Sequence, residues 1–169
     1  MLKTEGFTLV ELMVVIVILA VLAVIGIPNL ISWLPKYRSG SAAREILTVV
    51  QQARFRAVKE NANVVVSFDP DQDSYKAFVD NGSGTNSENM IQDTDEVTIF
   101  SGSMPGKVDM YEARFGANPY FHFNSKGLPG GTIGGHVNLR CNPDDFKQIT
   151  VTITGSARIK RSKDGSTWY

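Results

Sequence analysis

The hydrophobic pattern divides the N-terminal part of the chain into two helical segments of different character. Residues 12–35 contain no charged side chain and are almost wholly aliphatic up to residue 27. This length is close to the ~20 apolar residues that cross a bilayer as an α-helix. Over residues 43–58, apolar side chains instead recur at steps of three and four, which predicts a helix with one face on a core. The members of this face are Ala43, Ile46, Leu47, Val50, Ala53, Ala57 and Val58.

Two prolines fall inside this predicted long helix, which extends over residues 7–60. Pro28 and Pro35 each lack the backbone N–H that an α-helix uses, and each disfavours the helical conformation in the residue before it. We therefore expect a kink or a local melt of the helix between them.

Beyond residue 62 the pattern changes to short runs rich in β-branched and aromatic residues, separated by turn-forming clusters. A polar, acidic segment over residues 80–96 is predicted to be a long loop. The fold class is therefore α+β, in which the second half of the helix packs on a mostly antiparallel β domain. The predicted strands cover residues 64–68, 75–79, 97–100, 108–111, 120–123, 136–139, 149–154 and 157–160.

Composition and spacing give no indication of an enzyme. The 17 basic and 17 acidic residues balance, so no global field attracts nucleic acid or anionic lipid. Cys141 is the only cysteine, which excludes an internal disulfide and favours a buried structural thiol. His122 and His136 have neither metal-binding nor triad spacing, and the glycine-rich residues 130–135 lack the ending of a phosphate-binding loop. We predict no catalytic residue, no cofactor and no metal.

Four acidic residues have a spacing that resembles a calcium-binding loop. Ser74 occupies the position that needs glycine, and the adjacent predicted strands favour a hairpin turn instead. Calcium binding at Asp69–Asp73 therefore stays an open alternative. The four residues are Asp69, Asp71, Asp73 and Asp80.

Glu11 places a carboxylate at the start of the apolar run. A central carboxylate costs about 2.5–3.5 kcal/mol on membrane-insertion scales, so its retention indicates a partner. A secretory signal cut near residues 21–23 is a competing interpretation, although the leader holds only Lys3 against Glu5 and the run is unusually long. A carboxylate that stays hydrated at the membrane surface is the other alternative.

The segment "GFTLVE" from Gly6 to Glu11, followed by the aliphatic run, resembles the class III signal of type IV prepilins and type II secretion pseudopilins. The resemblance implies that a prepilin peptidase cuts between Gly6 and Phe7, that Phe7 becomes N-methylated, and that Glu11 serves filament assembly. It also implies a leader peptide, a transmembrane assembly helix, an amphipathic half-helix and a globular β domain, over residues 1–6, 7–35, 36–61 and 62–169 respectively.

Cleavage before Phe7 would create a cationic amine about one helical turn from Glu11. Within one chain, the carboxylate also favours the positive end of the helix dipole, by ~0.3–1 kcal/mol. In the family's assembly model, Glu11 of one subunit meets the Phe7 amine of a neighbour and sets the axial register.

Other parts of the chain resemble the GspH/FimT family of minor pseudopilins and minor pilins, namely residues 49–80, 120–131 and 151–161. The lack of a second cysteine departs from the disulfide-closed loop of major pilins and favours a minor subunit. The resemblance implies a minor pseudopilin of a type II secretion system, assembled near the pseudopilus tip. The alternatives are a minor type IV pilin and a membrane-anchored β domain unrelated to filaments, which predicts no prepilin processing.

The resemblance also implies a location and a set of partners. The chain would cross the bacterial inner membrane once, with its C-terminal domain in the periplasm, and then enter a filament. A positive-inside count gives the opposite orientation, because Lys36, Arg38 and Arg44 follow the apolar run. The implied partners are the prepilin peptidase, other pseudopilins or pilins through helix packing, and the inner membrane with its assembly platform.

A basic cluster near the C-terminus raises the question of nucleic acid. Family members that serve DNA uptake carry an arginine-containing motif in this hairpin, and "GSARIKR" is loosely similar to it. DNA contact by Arg158, Lys160 and Arg161 is therefore a hypothesis, and salt-sensitive binding is its required signature. The alternative is a solvated strand edge, where basic side chains prevent edge pairing.

Overall fold

The computed structural model describes residues 7–80, 90–93, 96–131 and 134–169. Within these ranges a single helix, α1 (Leu9–Glu60), precedes eight strands, and the predicted α+β class is confirmed. All eight predicted strands are present; the strand over residues 120–123 has its predicted bounds, and the other seven have shifted ends. The strands are β1 (Asn63–Asp69), β2 (Ser74–Asp80), β3 (Thr98–Ser103), β4 (Asp109–Arg114), β5 (Tyr120–Phe123), β6 (Gly135–Asn142), β7 (Asp145–Val151) and β8 (Ala157–Ser162). Most of the predicted loop over residues 80–96 lies outside the described residues.

Helix α1 continues through both prolines. Residues 28–35 are helical, so the expected local melt is wrong. Each proline withdraws one N–H donor, which deprives only the carbonyls of Val24 and Ile31 of their usual partners. Because helix propagation is cooperative, the intact hydrogen bonds on either side hold these residues in the helix.

The chain divides into two compact units, one ending at Leu34 and the other beginning at Pro35. In the first unit, every side chain from Phe7 to Leu34 is exposed. By length and composition, α1 is the one helix in the described residues that could cross a membrane. The second unit contains the rest of α1 and all the described strands.

Two antiparallel sheets build the second unit. Their strand orders are β3-β2-β1-β5 and β4-β6-β7-β8. Alternate residues of β1 point to the core, since Val64, Val66 and Phe68 are buried and pair with buried residues of β2. The core side of the second sheet is formed in the same way, by Val137, Leu139, Ile149 and Val151.

The second half of α1 buries a face made largely of small side chains. The predicted face is confirmed except at its flank, because Val58 is 53% exposed and Leu47 is only half-buried. Small side chains let the helix axis approach the sheets closely. The buried residues of the helix are Ser39, Ala42, Ala43, Ile46, Val49, Val50, Ala53 and Ala57.

Aromatic rings join the two sheets. Phe115, which follows β4, stacks on Phe68 at 5.7 Å and on Phe121 at 4.4 Å between ring centroids. Phe121 in turn meets Phe123 edge to face at 5.2 Å. Such pairs stabilise by about 0.5–1.5 kcal/mol each beyond the area they bury.

Polar contacts fix the helix on the strands. The Tyr75 hydroxyl donates a 2.5 Å hydrogen bond to Glu45 of the helix, and burial together with this carboxylate raises the pKa of Tyr75 well above its ordinary value. The Cys141 thiol donates to the carbonyl of Pro35 at 3.3 Å. Cys141 is half-buried, and burial raises the pKa of its thiol, which agrees with a structural role.

Replacing Phe123 by alanine should destabilise the fold strongly, because this fully buried ring lies in the aromatic cluster. We expect Phe123→Ala to lower the free energy of unfolding by about 3–5 kcal/mol. Phe55→Ala is the matched control, since Phe55 is 66% exposed and should cost less than about 0.5 kcal/mol. Urea unfolding of the detergent-solubilised chain measures both, and equal losses would contradict the assigned core.

Candidate functional site

The N-terminal end of α1 is closed by a pair of reciprocal hydrogen bonds. The Glu11 N–H donates to Thr8 Oγ1 at 3.2 Å, and the Thr8 N–H donates to Glu11 Oε2 at 3.1 Å. The Thr8 hydroxyl also donates to Glu11 Oε2, at 3.0 Å. This arrangement is a capping box, with Thr8 at the N-cap and Glu11 as the third helical residue.

The capping box changes the role expected for Glu11. Its carboxylate already has a partner in its own chain, the backbone and hydroxyl of Thr8, before any amine exists on Phe7. Sequence reasoning missed Thr8, although the Thr-x-x-Glu spacing of residues 8–11 is the signal that identifies a capping box. Gly6, the other residue of the predicted cleavage site, lies outside the described residues, and Phe7 is 76% exposed.

The two carboxylate oxygens of Glu11 can bind different partners. Oε2 accepts both bonds from Thr8, and Oε1 takes part in neither. The cap therefore fixes the orientation of the carboxylate at the start of the helix while one oxygen can accept a donor from another group. A cation would be the strongest such donor, since charge-assisted hydrogen bonds are roughly twice as strong as neutral ones.

The apolar segment that follows Glu11 needs to be covered. Its side chains up to Leu34 are all exposed, whereas soluble monomers rarely expose contiguous apolar patches above a few hundred Å². Lipid, the apolar helices of other subunits, or both in succession can cover such a surface. Trp33 and Lys36 near the end of the segment are typical of a membrane–water interface.

The C-terminal basic residues are divided between two faces of β8. Arg158 and Lys160 are exposed and alternate along the strand, so they lie on one face, whereas Arg161 points to the other. The backbone of Arg161 pairs with Tyr169, with N···O distances of 2.9 and 3.1 Å. The structure thus brings together two of the three residues predicted to contact DNA.

Cross-strand pairing extends this basic face. Arg158 pairs with Thr150, Thr150 with His136, and His136 with Arg114. These four residues form a row across the sheet that sequence spacing does not reveal. The carboxylate of Glu112 reduces the positive charge of the row, because its Oε2 lies 3.5 Å from Nε2 of His136.

A chain of polar side chains runs beside the basic row. Asn138 donates to Glu112 at 2.7 Å, Gln148 donates to Asn138 at 3.0 Å, and Thr150 donates to Gln148 at 3.1 Å. These bonds satisfy the buried amides of Asn138 and Gln148 on the face away from the core. They also hold the rows of this sheet in register.

In the hairpin between β1 and β2, aspartate carboxylates accept hydrogen bonds from backbone N–H groups. Asp69 accepts hydrogen bonds from the N–H groups of Asp71 and Gln72, both at 3.1 Å, which is a turn-forming arrangement. Asp73 reaches instead to the N–H of Met110, at 2.7 Å. In the part of the chain that the structure describes, no group of three or more acidic, histidine or cysteine residues could hold a metal ion. The contacts of Asp69 and Asp73 thus agree with the hairpin interpretation.

Comparisons with known families match most of the chain. A model described as "Type II transport protein GspH" matches residues 42–157, and one described as "Prokaryotic N-terminal methylation motif" matches residues 1–27. Such a motif implies processing by a prepilin peptidase and assembly with pilins or pseudopilins. No curated protein matches the chain.

Solved structures show the same fold at low sequence identity. The type IV minor pilin FimU of Pseudomonas aeruginosa is 14% identical, with a TM-score of 0.54, 77% of this chain covered and 96% of that chain. The minor pseudopilin EpsH of the type II secretion system of Vibrio cholerae is 13% identical, with a TM-score of 0.51, 72% of this chain covered and 95% of that chain. A second EpsH structure has a TM-score of 0.54 at 11% identity, and covers 73% of this chain and 94% of that one.

Removing the Thr8 hydroxyl should open the helix cap. Thr8→Ala is expected to weaken the cap by about 1 kcal/mol, which speeds hydrogen exchange of the Glu11 amide about five-fold. Thr8→Ser keeps the hydroxyl and should leave exchange unchanged. NMR of the full chain in detergent micelles measures both variants. Equal exchange in alanine and serine variants would show that the hydroxyl does not hold the cap.

Proposed function

The chain belongs to the GspH family of type II transport proteins, and we propose that it is a minor pseudopilin of a type II secretion system. The observation that carries the proposal is the family match over residues 42–157, which covers half of α1 and most of the β domain. The family consists of structural pilin-like subunits, and the chain's function would accordingly be interaction without catalysis.

Processing would be the first step of this function. A prepilin peptidase would cut between Gly6 and Phe7, remove the leader of residues 1–6 and methylate the new amine. The motif over residues 1–27 supports this step, and so does the exposed Phe7 immediately before the capped helix end. The remaining chain would be an assembly helix (7–35), an amphipathic half-helix (36–61) and a β domain (62–169).

Assembly would then rest on helix packing and one ion pair. After the cut, Oε2 of Glu11 stays on Thr8 and Oε1 can accept the amine of Phe7 from a neighbouring subunit. This pair would be strong because charges attract each other more in a low-dielectric surrounding than in water. The subunit would enter the pseudopilus near its tip, from a single-pass position in the inner membrane with the β domain in the periplasm.

The N-terminus of the mature chain tests the processing step. Mass spectrometry should find a chain that begins at Phe7 and carries one additional methyl group. Gly6→Val should block the cut because the peptidase site would lose its glycine. A chain that keeps Met1, or one cut near Ala23, would refute the proposal.

Neutralising Glu11 tests the ion pair separately from the cap. Glutamine can also close a capping box, so Glu11→Gln keeps the cap and removes the charge. We expect incorporation into sheared filaments to fall by more than about ten-fold, since loss of one partner from a buried ion pair costs about 3–5 kcal/mol. Glu60→Gln is the matched control, because Glu60 pairs with Arg56 on the helix surface. Normal incorporation of Glu11→Gln would disprove the assembly role.

A minor type IV pilin with a role in DNA uptake is the second candidate. The observation that favours it is the row of Arg114, His136 and Arg158, with Lys160 beside it, on one open sheet face. The flanking genes discriminate between the two systems, since a secretion operon and a pilus operon carry different partners.

Salt-dependent duplex binding tests the DNA contact. Arg158→Gln should weaken binding and reduce the slope of log K against log salt by about 0.9, the value for one phosphate contact. Arg161→Gln makes the same charge change on the other face of β8 and should leave the slope unchanged. If Arg158→Gln binds duplex DNA as the parent chain does, this face does not serve DNA.

A further inference from the structure

Strand β3 lies at the edge of the first sheet, and its outer side differs from the other sheet edges. The strand order places β3 and β5 at the two edges of the first sheet, and β4 and β8 at those of the second. An open edge presents unpaired N–H and C=O groups to any extended chain, so proteins usually cover or charge it.

The other edges are each covered or charged. The outer side of β5 receives a 2.8 Å hydrogen bond from the Gly130 N–H to the carbonyl of His122. On β4 the Met110 N–H is capped by the Asp73 side chain, and acidic and basic side chains occupy the strand. On β8 the C-terminal Tyr169 pairs with Arg161.

In the described part of the chain, strand β3 has neither form of protection beyond its first residue. Residues 97–106, which contain the whole strand, include no charged side chain. The Gln92 amide reaches the Thr98 hydroxyl at 2.6 Å, which covers the beginning of the strand. Beyond that point, no strand within the described ranges pairs with its outer side.

The hydrogen-bond register shows which groups point outward. The Met104 N–H donates to the carbonyl of Asp73 at 2.7 Å, which makes Ser74 and Ser103 a non-hydrogen-bonded pair. Alternation along the ladder then directs the N–H and C=O of Gly102 and Phe100 to β2. The same groups of Ser101 and Ser103 point away from the sheet, and both serines are exposed.

An open cleft adjoins this edge. Its volume is about 580 Å³, and it extends from Ser101 and Gly102 to the turn between β1 and β2 at Pro70. Lys76 and Pro119 contribute to its walls. The cleft therefore offers space beside Ser101 and Gly102 for a side chain of a strand added to β3.

We propose that β3 binds an extended, uncharged segment of a neighbouring filament subunit by strand addition. Main-chain hydrogen bonds to Ser101 and Ser103 would hold the segment, as in other cases of strand addition to a sheet edge. The inference rests on the proposed function, because helix packing in the filament keeps the neighbour's domain close. At such a high effective concentration, a few main-chain hydrogen bonds suffice.

Residue-resolved amide exchange of the full chain tests this pairing. In membranes that contain this chain alone, the amides of Ser101 and Ser103 should exchange rapidly while that of Gly102 is protected by β2. In assembled filaments, exchange at Ser101 and Ser103 should slow about ten-fold or more, the effect of one new hydrogen bond in each case.

Variants at Ser101 distinguish a main-chain interaction from a side-chain interaction. Ser101→Pro removes the outward N–H, which β2 does not use, and proline is tolerated on the outer side of an edge strand. Filament incorporation should fall about ten-fold, whereas Ser101→Ala should assemble normally. Ser101→Lys adds a charge at the edge and keeps the backbone N–H, and it should also lower filament incorporation. This variant tests the inference if the proline variant fails to fold.

Three results would overturn the inference, and they can be told apart. If the chain enters filaments but the amides of Ser101 and Ser103 still exchange rapidly, strand addition is refuted and the proposed function stays intact. Protection already present with this chain alone would assign the edge to a second copy. If the parent chain never enters a filament, the proposed function fails and the inference fails with it.

Discussion

The apolar first half of α1 has no core of its own to pack against, and this constraint shapes the rest of the molecule. Its side chains are exposed all around the helix up to Leu34. An apolar helix of this kind is stable only in lipid or among other helices, because burying apolar area at roughly 25 cal/mol per Å² is the main favourable term available to it. Together with the N-terminal methylation motif, the exposed apolar helix indicates membrane anchoring and filament incorporation.

A carboxylate at the start of such a helix would be costly without a local solution. The Thr8 cap provides one, since it satisfies the carboxylate of Glu11 and two N–H groups with short-range bonds that need no partner subunit. The same bonds leave Oε1 available. In the proposed function, a single chain would stay in the membrane with Oε2 bound to Thr8, while Oε1 would accept the amine of an incoming subunit.

Much of the fold was predictable because its signals are local. The alternation of Val64, Val66 and Phe68 predicts one buried face of β1, and the spacing of Ala43, Ile46 and Val50 predicts the buried face of the helix. The prediction failed where propensity and context compete. Pro28 and Pro35 are helix breakers in isolation, but cooperative hydrogen bonding on both sides overrides them. Strand β7 begins at Asp145 because pairing with β6 recruits polar residues that carry no strand signal of their own.

The sequence by itself determined the apolar segment, the methylation motif and the succession of elements, because each depends on residues close together in the chain. Only the tertiary structure decided which charges share a face and which edges stay open. Arg114 and Arg158 become the two ends of one row through three successive strand pairings. Strand β3 stays open because the sheet order places it at an edge and no other described strand pairs with its outer side. Both results depend on long-range register, which local hydrophobic patterning does not encode.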